Sequence, residues 1–131
     1  MPAIVAGAIY FAIVYLAGFV LGSLRTFLLE PSVGMLVATL VEAPLIMAAS
    51  YFAARALVRR YLNNSSRAPR FLMGFFAFIF LLAAEAAMAG PVRGWTLAEW
   101  LGHFSTAEGL LSFGMFLVFA AMPGLLPRRL P

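Results

Sequence analysis

Cysteine, lysine and aspartate are all absent from this chain of 131 residues. Without cysteine, the chain has no disulfide, no thiol nucleophile and no cysteine-ligated metal site. Charge is scarce as well, since 11% of the residues are charged compared with about 25% in soluble domains. Hydrophobic residues make up 64% of the chain. Because a soluble fold of this composition has too little polar surface to present to water, the composition predicts an integral membrane protein.

The charged residues that are present are nine arginines and five glutamates. The net charge of +4 does not indicate a nucleic-acid partner, and its distribution along the chain is more informative. The arginines concentrate in the second loop and the C-terminal tail, at Arg59, Arg60, Arg67, Arg70, Arg128 and Arg129. By the positive-inside rule, both termini and the second loop are predicted to be cytoplasmic. Arginine in place of lysine, with abundant alanine and glycine, indicates a GC-rich bacterial genome, and we expect the chain to be a multi-pass protein of the bacterial inner membrane.

Four apolar segments divide the chain, at about residues 3–29, 32–57, 71–90 and 107–126. Each has about 20 residues or more, enough to cross a hydrocarbon core of about 30 Å, and in lipid each must be helical. The first segment lacks a basic start and is too long for a signal peptide, so we expect a retained helix. The sequence therefore predicts an all-α fold with one domain, 1–131. Its four transmembrane helices form an up-down bundle, with a tight turn at Glu30-Pro31.

The connection between the third and fourth segments carries two capping-box patterns, in which a hydroxyl residue precedes a glutamate by three positions. Thr96 with Glu99 predicts a short helix over about residues 96–103. Ser105 with Glu108 predicts the start of the fourth transmembrane helix. A short helix between two membrane spans is expected to lie in the membrane interface.

Trp95 and Trp100 accompany this short helix, and tryptophan is typical of the boundary between lipid and water. We expect both side chains to be interfacial anchors. His103, the only histidine, lies in the same connection, and no second ligand is apparent in the sequence. The sequence therefore predicts no metal site and no cofactor.

Three ionisable residues fall inside the apolar segments: Arg25, Glu42 and Glu85. From the helical rise, Arg25 is expected about 6 Å and Glu85 about 7–8 Å below the outer end of the bundle, with Glu42 about 15 Å deep. Intramembrane charges face the protein interior and find partners. We expect one polar cluster in which Arg25 pairs with Glu85, with Glu42 or with both. If both glutamates were ionised, this cluster would carry one excess negative charge.

Three further residues are expected to shape the helices around this cluster. Gly18 and Gly22 form a GxxxG pattern on the same face as Arg25, which permits close helix packing. Pro44 lies two residues after Glu42 and removes a backbone hydrogen bond to Leu40, which predicts a helix kink. The kink is either a packing feature or part of a polar binding site.

The residues leave two functional hypotheses open. In the first, the chain is a non-enzymatic bundle held together by the Arg/Glu cluster, as an accessory subunit of a membrane complex or as a homo-oligomer. In the second, it is an oligomeric ion- or proton-coupled small transporter or channel that uses Glu42 and Glu85. An enzyme is not expected, because no nucleophile, base and orienting group occur at suitable spacing.

Several stretches of the chain resemble a family of short four-helix inner-membrane proteins from proteobacteria. The similar stretches are GFVLGSLRTFLLEPSVG (18–34), LVEAPLIMAASYFAAR (40–55), Ala84-Glu85, RGWTLAEWL (93–101) and FAAMPGLL (119–126). The resemblance implies the four-helix topology and marks Arg25, Glu42, Pro44 and Glu85 as parts of the family pattern. It implies no activity, since none is established for that family.

Overall fold

The computed structural model describes residues 2–62 and 66–126. Helix α1 spans Ala3–Leu24 and continues through a π-helical turn, Arg25–Leu29, and a last α-helical turn, Glu30–Val33. Helix α2 spans Met35–Tyr61. Helix α3 spans Arg67–Met88 and continues through a second π-helical turn, Ala89–Arg93. The short helix α4 spans Leu97–His103, and α5 spans Ala107–Leu125.

The described residues are helical throughout apart from short connections, and four helices are long and apolar enough to cross a membrane: α1, α2, α3 and α5. Contacts between them show that they alternate in direction. Gly7 and Phe11 of α1 lie against Met73 and Phe80 of α3, so these two helices run parallel. Gly74 and Phe78 of α3 lie against Ala120 and Phe113 of α5, so these two run antiparallel. Helix α1 packs on α2 and α3, and α5 also packs on α2 and α3. The predicted all-helical fold with four helices long enough to span a membrane is therefore confirmed, and the order around the bundle is α1, α3, α5, α2.

The turn between the first two spans lies later than the sequence predicted. Glu30 and Pro31 are both helical, and the chain reverses at Gly34. Gly34 has a φ of 86°, a conformation that favours glycine because it has no Cβ. The prediction of a turn at Glu30-Pro31 was wrong because proline is well tolerated in the first turn of a helix. The sequence also placed the start of the last span at Ser105, but the capping residue is Thr106, whose hydroxyl accepts from the Gly109 N–H.

Close helix contacts in the bundle depend on glycines outside the predicted GxxxG pattern. A Cβ built on Gly7 would lie 2.7 Å from the Met73 carbonyl oxygen, where α1 crosses α3. A Cβ on Gly74 would collide with the Ala120 carbonyl group, where α3 crosses α5. At both crossings backbone lies directly against backbone, so no side chain can move aside to admit a larger residue.

One half of the bundle is a packed apolar core around Tyr10. This side chain is fully buried, stacks on Phe119 with ring centroids 4.4 Å apart, and donates a 2.7 Å hydrogen bond to the Phe119 carbonyl oxygen. Because Tyr10 belongs to α1 and Phe119 to α5, the pair joins two helices that lie diagonally across the bundle. Ala54, Val58 and Met73 are fully buried in the same core.

The end of this core carries a buried arginine that the sequence had placed in a loop. Arg70 lies in the first turn of α3 with no exposed surface. Its guanidinium donates to the carbonyl oxygens of Leu62 and Leu126, both at 3.4 Å. These carbonyls follow the ends of α2 and α5, where backbone acceptors have no partner within their own helix. Arg70 therefore joins three helices at this end. This role is separate from the contribution that arginines make to membrane orientation under the positive-inside rule.

Candidate functional site

The other half of the bundle contains a cavity of about 420 Å³ that is partly open to the outside. All four spanning helices and α4 contribute to its wall. Ionisable and hydroxyl side chains line it at Tyr15, Ser23, Arg25, Thr26, Thr39, Glu42, Ser50, Glu85, Arg93, His103 and Ser112. The remaining wall is mostly aromatic, methionine and small aliphatic residues. Apolar walls with a few converging polar groups are typical of small-molecule sites.

A chain of alternating charges crosses one wall of the cavity. The Arg25 Nε lies 2.5 Å from a carboxylate oxygen of Glu42, and its Nη1 lies 3.7 Å from the Glu30 Oε1. Arg93 closes the chain, with its Nη2 3.2 Å from the same Glu30 oxygen and 3.4 Å from the Thr26 hydroxyl. The order is Glu42, Arg25, Glu30, Arg93. The ion pairs therefore connect α2, the end of α1 and the end of α3.

The π-helical turn at Arg25–Leu29 explains why Arg25 and Glu30 are on one face. The Glu30 N–H donates to the Arg25 carbonyl, a hydrogen bond that spans five residues instead of four. Residues five apart face different directions in an α-helix, but a π-helical turn brings them above one another. Gly22, one turn earlier, lies beside the ion pair, and a Cβ there would make ordinary van der Waals contacts of 3.5 Å with an Arg25 nitrogen and 3.9 Å with a Glu42 oxygen.

Glu85 lines the same cavity but stands apart from the charge chain. Within residues 2–62 and 66–126 it has neither an ion pair nor a side-chain hydrogen bond. Arg25, Glu42 and Arg93 are the charged groups close enough to act on it electrostatically. Of the two predicted partners of Arg25, Glu42 forms the ion pair and Glu85 does not, and Glu30 is a further partner that was not predicted. This leaves Glu85 as a carboxyl group that faces the cavity without a protein partner.

The cavity has a floor and a cover. Ser50 and Phe119 lie at the deep end, where the Tyr10–Phe119 pair separates the cavity from the packed core. The Ser50 hydroxyl donates to the Ile46 carbonyl oxygen within its own helix at 2.8 Å. At the opposite end, α4 and the residues before it cover the cavity through Trp95, Trp100 and His103. The described residues therefore form a cavity closed towards Arg70 and bounded by α4.

The cover is fastened at both ends of α4. The predicted capping box is confirmed, since the Glu99 N–H donates to the Thr96 hydroxyl and the Thr96 N–H donates to the Glu99 carboxylate, both at 3.2 Å. Trp100 packs edge-on against Phe104, which itself lies against two phenylalanines of α5. A Cβ on Gly109 would collide with the His103 carbonyl. This turn therefore requires glycine at the junction between α4 and α5.

Trp95 and His103 form one contact at the cover, with ring centroids 4.8 Å apart. The Arg93 guanidinium also lies over the Trp95 ring, at 5.5 Å. Burial lowers the pKa of His103 below its ordinary value of 6.5, with nearby Arg93 acting in the same direction and Glu108 against it. The imidazole is therefore neutral at physiological pH, and folding stability declines as the pH falls through this lowered pKa. The tryptophans, predicted as interfacial anchors, both line the cavity.

Of the remaining predicted site residues, some line this cavity and some do not. Gly18 lines the wall, and a Cβ there would lie 3.3 Å from the Ile46 side chain of α2. Helix α2 continues through Pro44, whose ring is exposed on the outside of the bundle. The predicted kink at Pro44 stays a prediction. Arg93, Glu30 and His103 were not predicted as site residues, although their charge and polarity beside apolar segments offered a weak signal.

No family model, curated protein or solved structure matches the chain. The likeness to the proteobacterial four-helix family therefore stays a prediction. Among the described residues, no group of three histidine or acidic side chains could hold a metal ion.

Proposed function

We propose that this chain is a non-enzymatic, multi-pass protein of the bacterial inner membrane that reversibly takes up a small molecule in its cavity. The observation that carries the proposal is a cavity of about 420 Å³ that presents one carboxyl group, Glu85, without an ion-pair partner among the described residues. Small-molecule sites have volumes of about 300–1,000 Å³ and mostly apolar walls with a few placed polar groups. The cavity has both properties.

The ion-pair chain supports a structural role for the charges expected to hold the helices together. Arg25, Glu42, Glu30 and Arg93 form ion pairs with one another and connect α2, the end of α1 and the end of α3. Glu85 contributes to none of these pairs. The cluster thus has a structural part, the four ion-paired residues, and a part available to a ligand, Glu85. Both sequence-based hypotheses had treated these charges as one group.

Proton- or ion-coupled transport is the second candidate function, and Glu85 is the observation that favours it. A carboxyl group without a partner in an apolar site exchanges a proton or binds a cation more readily than one held by arginine. Glu42 is held by Arg25, so coupling would fall to Glu85 alone. Transport would also require the Tyr10–Phe119 pair to separate, because it closes the cavity. A single chain encloses the cavity, so the expected oligomer is not needed to form it.

Ligand uptake can be followed through Trp95 and Trp100, the only tryptophans in the chain, because both line the cavity. The probe is N-phenyl-1-naphthylamine, an uncharged fluorophore excited by energy transfer from tryptophan, added to purified protein in detergent micelles. We expect saturable energy transfer in the wild type. Ser112→Phe, which fills the cavity, is expected to remove most of the saturable signal.

The matched control is Gly114→Phe, two residues further along the same helix and outside the cavity. Gly114 is exposed and has open space around it, so the added ring does not enter the cavity. We expect Gly114→Phe to bind the probe as the wild type does. Equal saturable binding by both variants, or the absence of saturable binding in the wild type, would contradict uptake into this cavity.

A further inference from the structure

The charges around the cavity leave one negative charge without compensation. The ion-pair chain contains two arginines, Arg25 and Arg93, and two glutamates, Glu30 and Glu42, so its net charge is zero. His103 is neutral, because burial lowers its pKa. Glu85 therefore leaves the described cavity wall with one excess negative charge, which no ion pair among the described residues takes up. A carboxylate in such an environment is neutralised either by a proton or by a cation.

An anionic ligand does not fit this arrangement. Both arginines in the cavity already hold carboxylates, with the Arg25–Glu42 distance at 2.5 Å and the Arg93–Glu30 distance at 3.2 Å. An anion would have to displace one of these carboxylates and leave it buried without a partner, which is costly. It would also be repelled by Glu85. The electrostatics therefore favour a positively charged ligand.

A metal cation does not fit the wall either. Calcium and magnesium need about six or more oxygen ligands, and the described residues contain no group of three acidic or histidine side chains suited to a metal. Most of the wall is apolar, with aromatic rings such as Tyr15, Trp100 and Phe116 and several methionines. Aromatic faces attract organic cations, and methionines adapt to irregular apolar shapes.

We propose that the cavity takes organic monocations, with the ammonium group at the Glu85 carboxylate and the apolar body against the aromatic and methionine wall. This inference rests on the proposed uptake of a small molecule and names its chemical class. On binding, the organic cation replaces the proton or the small cation that neutralises Glu85 in the empty cavity. No covalent bond forms or breaks.

The test uses three probes of similar size that differ in charge: 2-phenylethylammonium, uncharged 2-phenylethanol and anionic phenylacetate. Each is titrated against N-phenyl-1-naphthylamine bound to the protein, and displacement gives its affinity. We expect the cation to bind about 10- to 100-fold more tightly than the alcohol, and phenylacetate more weakly than either. Glu85→Gln keeps the shape of the side chain and removes its charge. It is expected to bring the cation and the alcohol to similar affinities.

The matched control is Glu99→Gln, a glutamate outside the cavity whose capping role glutamine can also perform. It is expected to retain the preference for the cation. Binding of the uncharged fluorophore by Glu85→Gln shows that this variant is folded. Equal affinity for cation and alcohol in the wild type would overturn the assignment of the ligand class and leave uptake itself standing. A cation preference that persists in Glu85→Gln would overturn the role of Glu85. Failure of the wild type to bind any probe, fluorophore included, would overturn both proposals.

Discussion

Replacing Arg25 with glutamine is expected to lower the free energy of unfolding by about 3–5 kcal/mol, the cost of breaking a buried ion pair from one side. Arg25 holds Glu42 at 2.5 Å and also faces Glu30 at 3.7 Å. The Glu42 side chain is only 12% exposed, so it cannot recover its hydration when the arginine is removed. The measurement is unfolding in mixed detergent micelles with increasing dodecyl sulfate, followed by circular dichroism.

Two companion variants separate the ion pair from other effects of the substitution. Glu42→Gln is expected to cost less than Arg25→Gln, because Arg25 keeps Glu30 as a partner. The double variant Arg25→Met/Glu42→Met is expected to recover most of the loss, since apolar replacement of a buried pair is often neutral or stabilising. If Arg25→Gln stays within about 1 kcal/mol of the wild type, the pair behaves like an exposed salt bridge, and the buried ion-pair chain is wrong.

The second large effect is expected for Gly74→Ala, at about 3 kcal/mol or more. A Cβ at this position would occupy the place of the Ala120 carbonyl group. Because both groups belong to helix backbones, relief requires α3 and α5 to move apart, which loosens the core around Phe119. The same unfolding assay measures the loss, and fluorophore binding shows whether the cavity survives it.

Gly114→Ala is the matched control for Gly74→Ala. It lies within α5, where an added Cβ meets nothing within 4 Å. Alanine there is expected to be neutral or to stabilise by up to about 1 kcal/mol, because glycine is the poorer helix former. Gly18→Ala, in the predicted GxxxG pattern, is expected to be mild, since its Cβ meets only the flexible end of Ile46 at 3.3 Å. Equal losses in all three variants would contradict the importance of the α3–α5 crossing.

Composition and local patterns predicted the parts of this fold that depend on local physics. Four apolar stretches of sufficient length gave four long helices, and the Thr96–Glu99 capping box formed as its spacing indicated. The three intramembrane charges were expected to lie together, and Arg25 does pair with Glu42. In each case the outcome follows from helix geometry and from the cost of a lone charge in lipid.

The remainder depends on how the helices pack, which no local pattern specifies. The pairing of Arg25 with Glu42 and not Glu85 depends on how the helices pack, and the π-helical turn adds Glu30 as a second partner. The sequence placed Arg93 in a loop. In the structure the second π-helical turn includes Arg93, and its guanidinium lies within reach of Glu30. Gly74 has no sequence pattern around it that distinguishes it from the other glycines. The order of helices around the bundle likewise depends on contacts between distant segments.

Cysteine accessibility tests most directly whether the cavity is closed towards Arg70 and is reached only from the side of α4, which covers it in part. The chain has no cysteine, so Ser112→Cys in the cavity and Ala54→Cys in the packed core each carry a single thiol. Both variants are treated with a membrane-impermeant thiol reagent in vesicles of each orientation. We predict that Ser112→Cys reacts only when the reagent is on the side of α4 and that Ala54→Cys reacts from neither side. Reaction of Ala54→Cys, reaction of Ser112→Cys from the Arg70 side, or no reaction of Ser112→Cys at all would contradict the one-sided cavity.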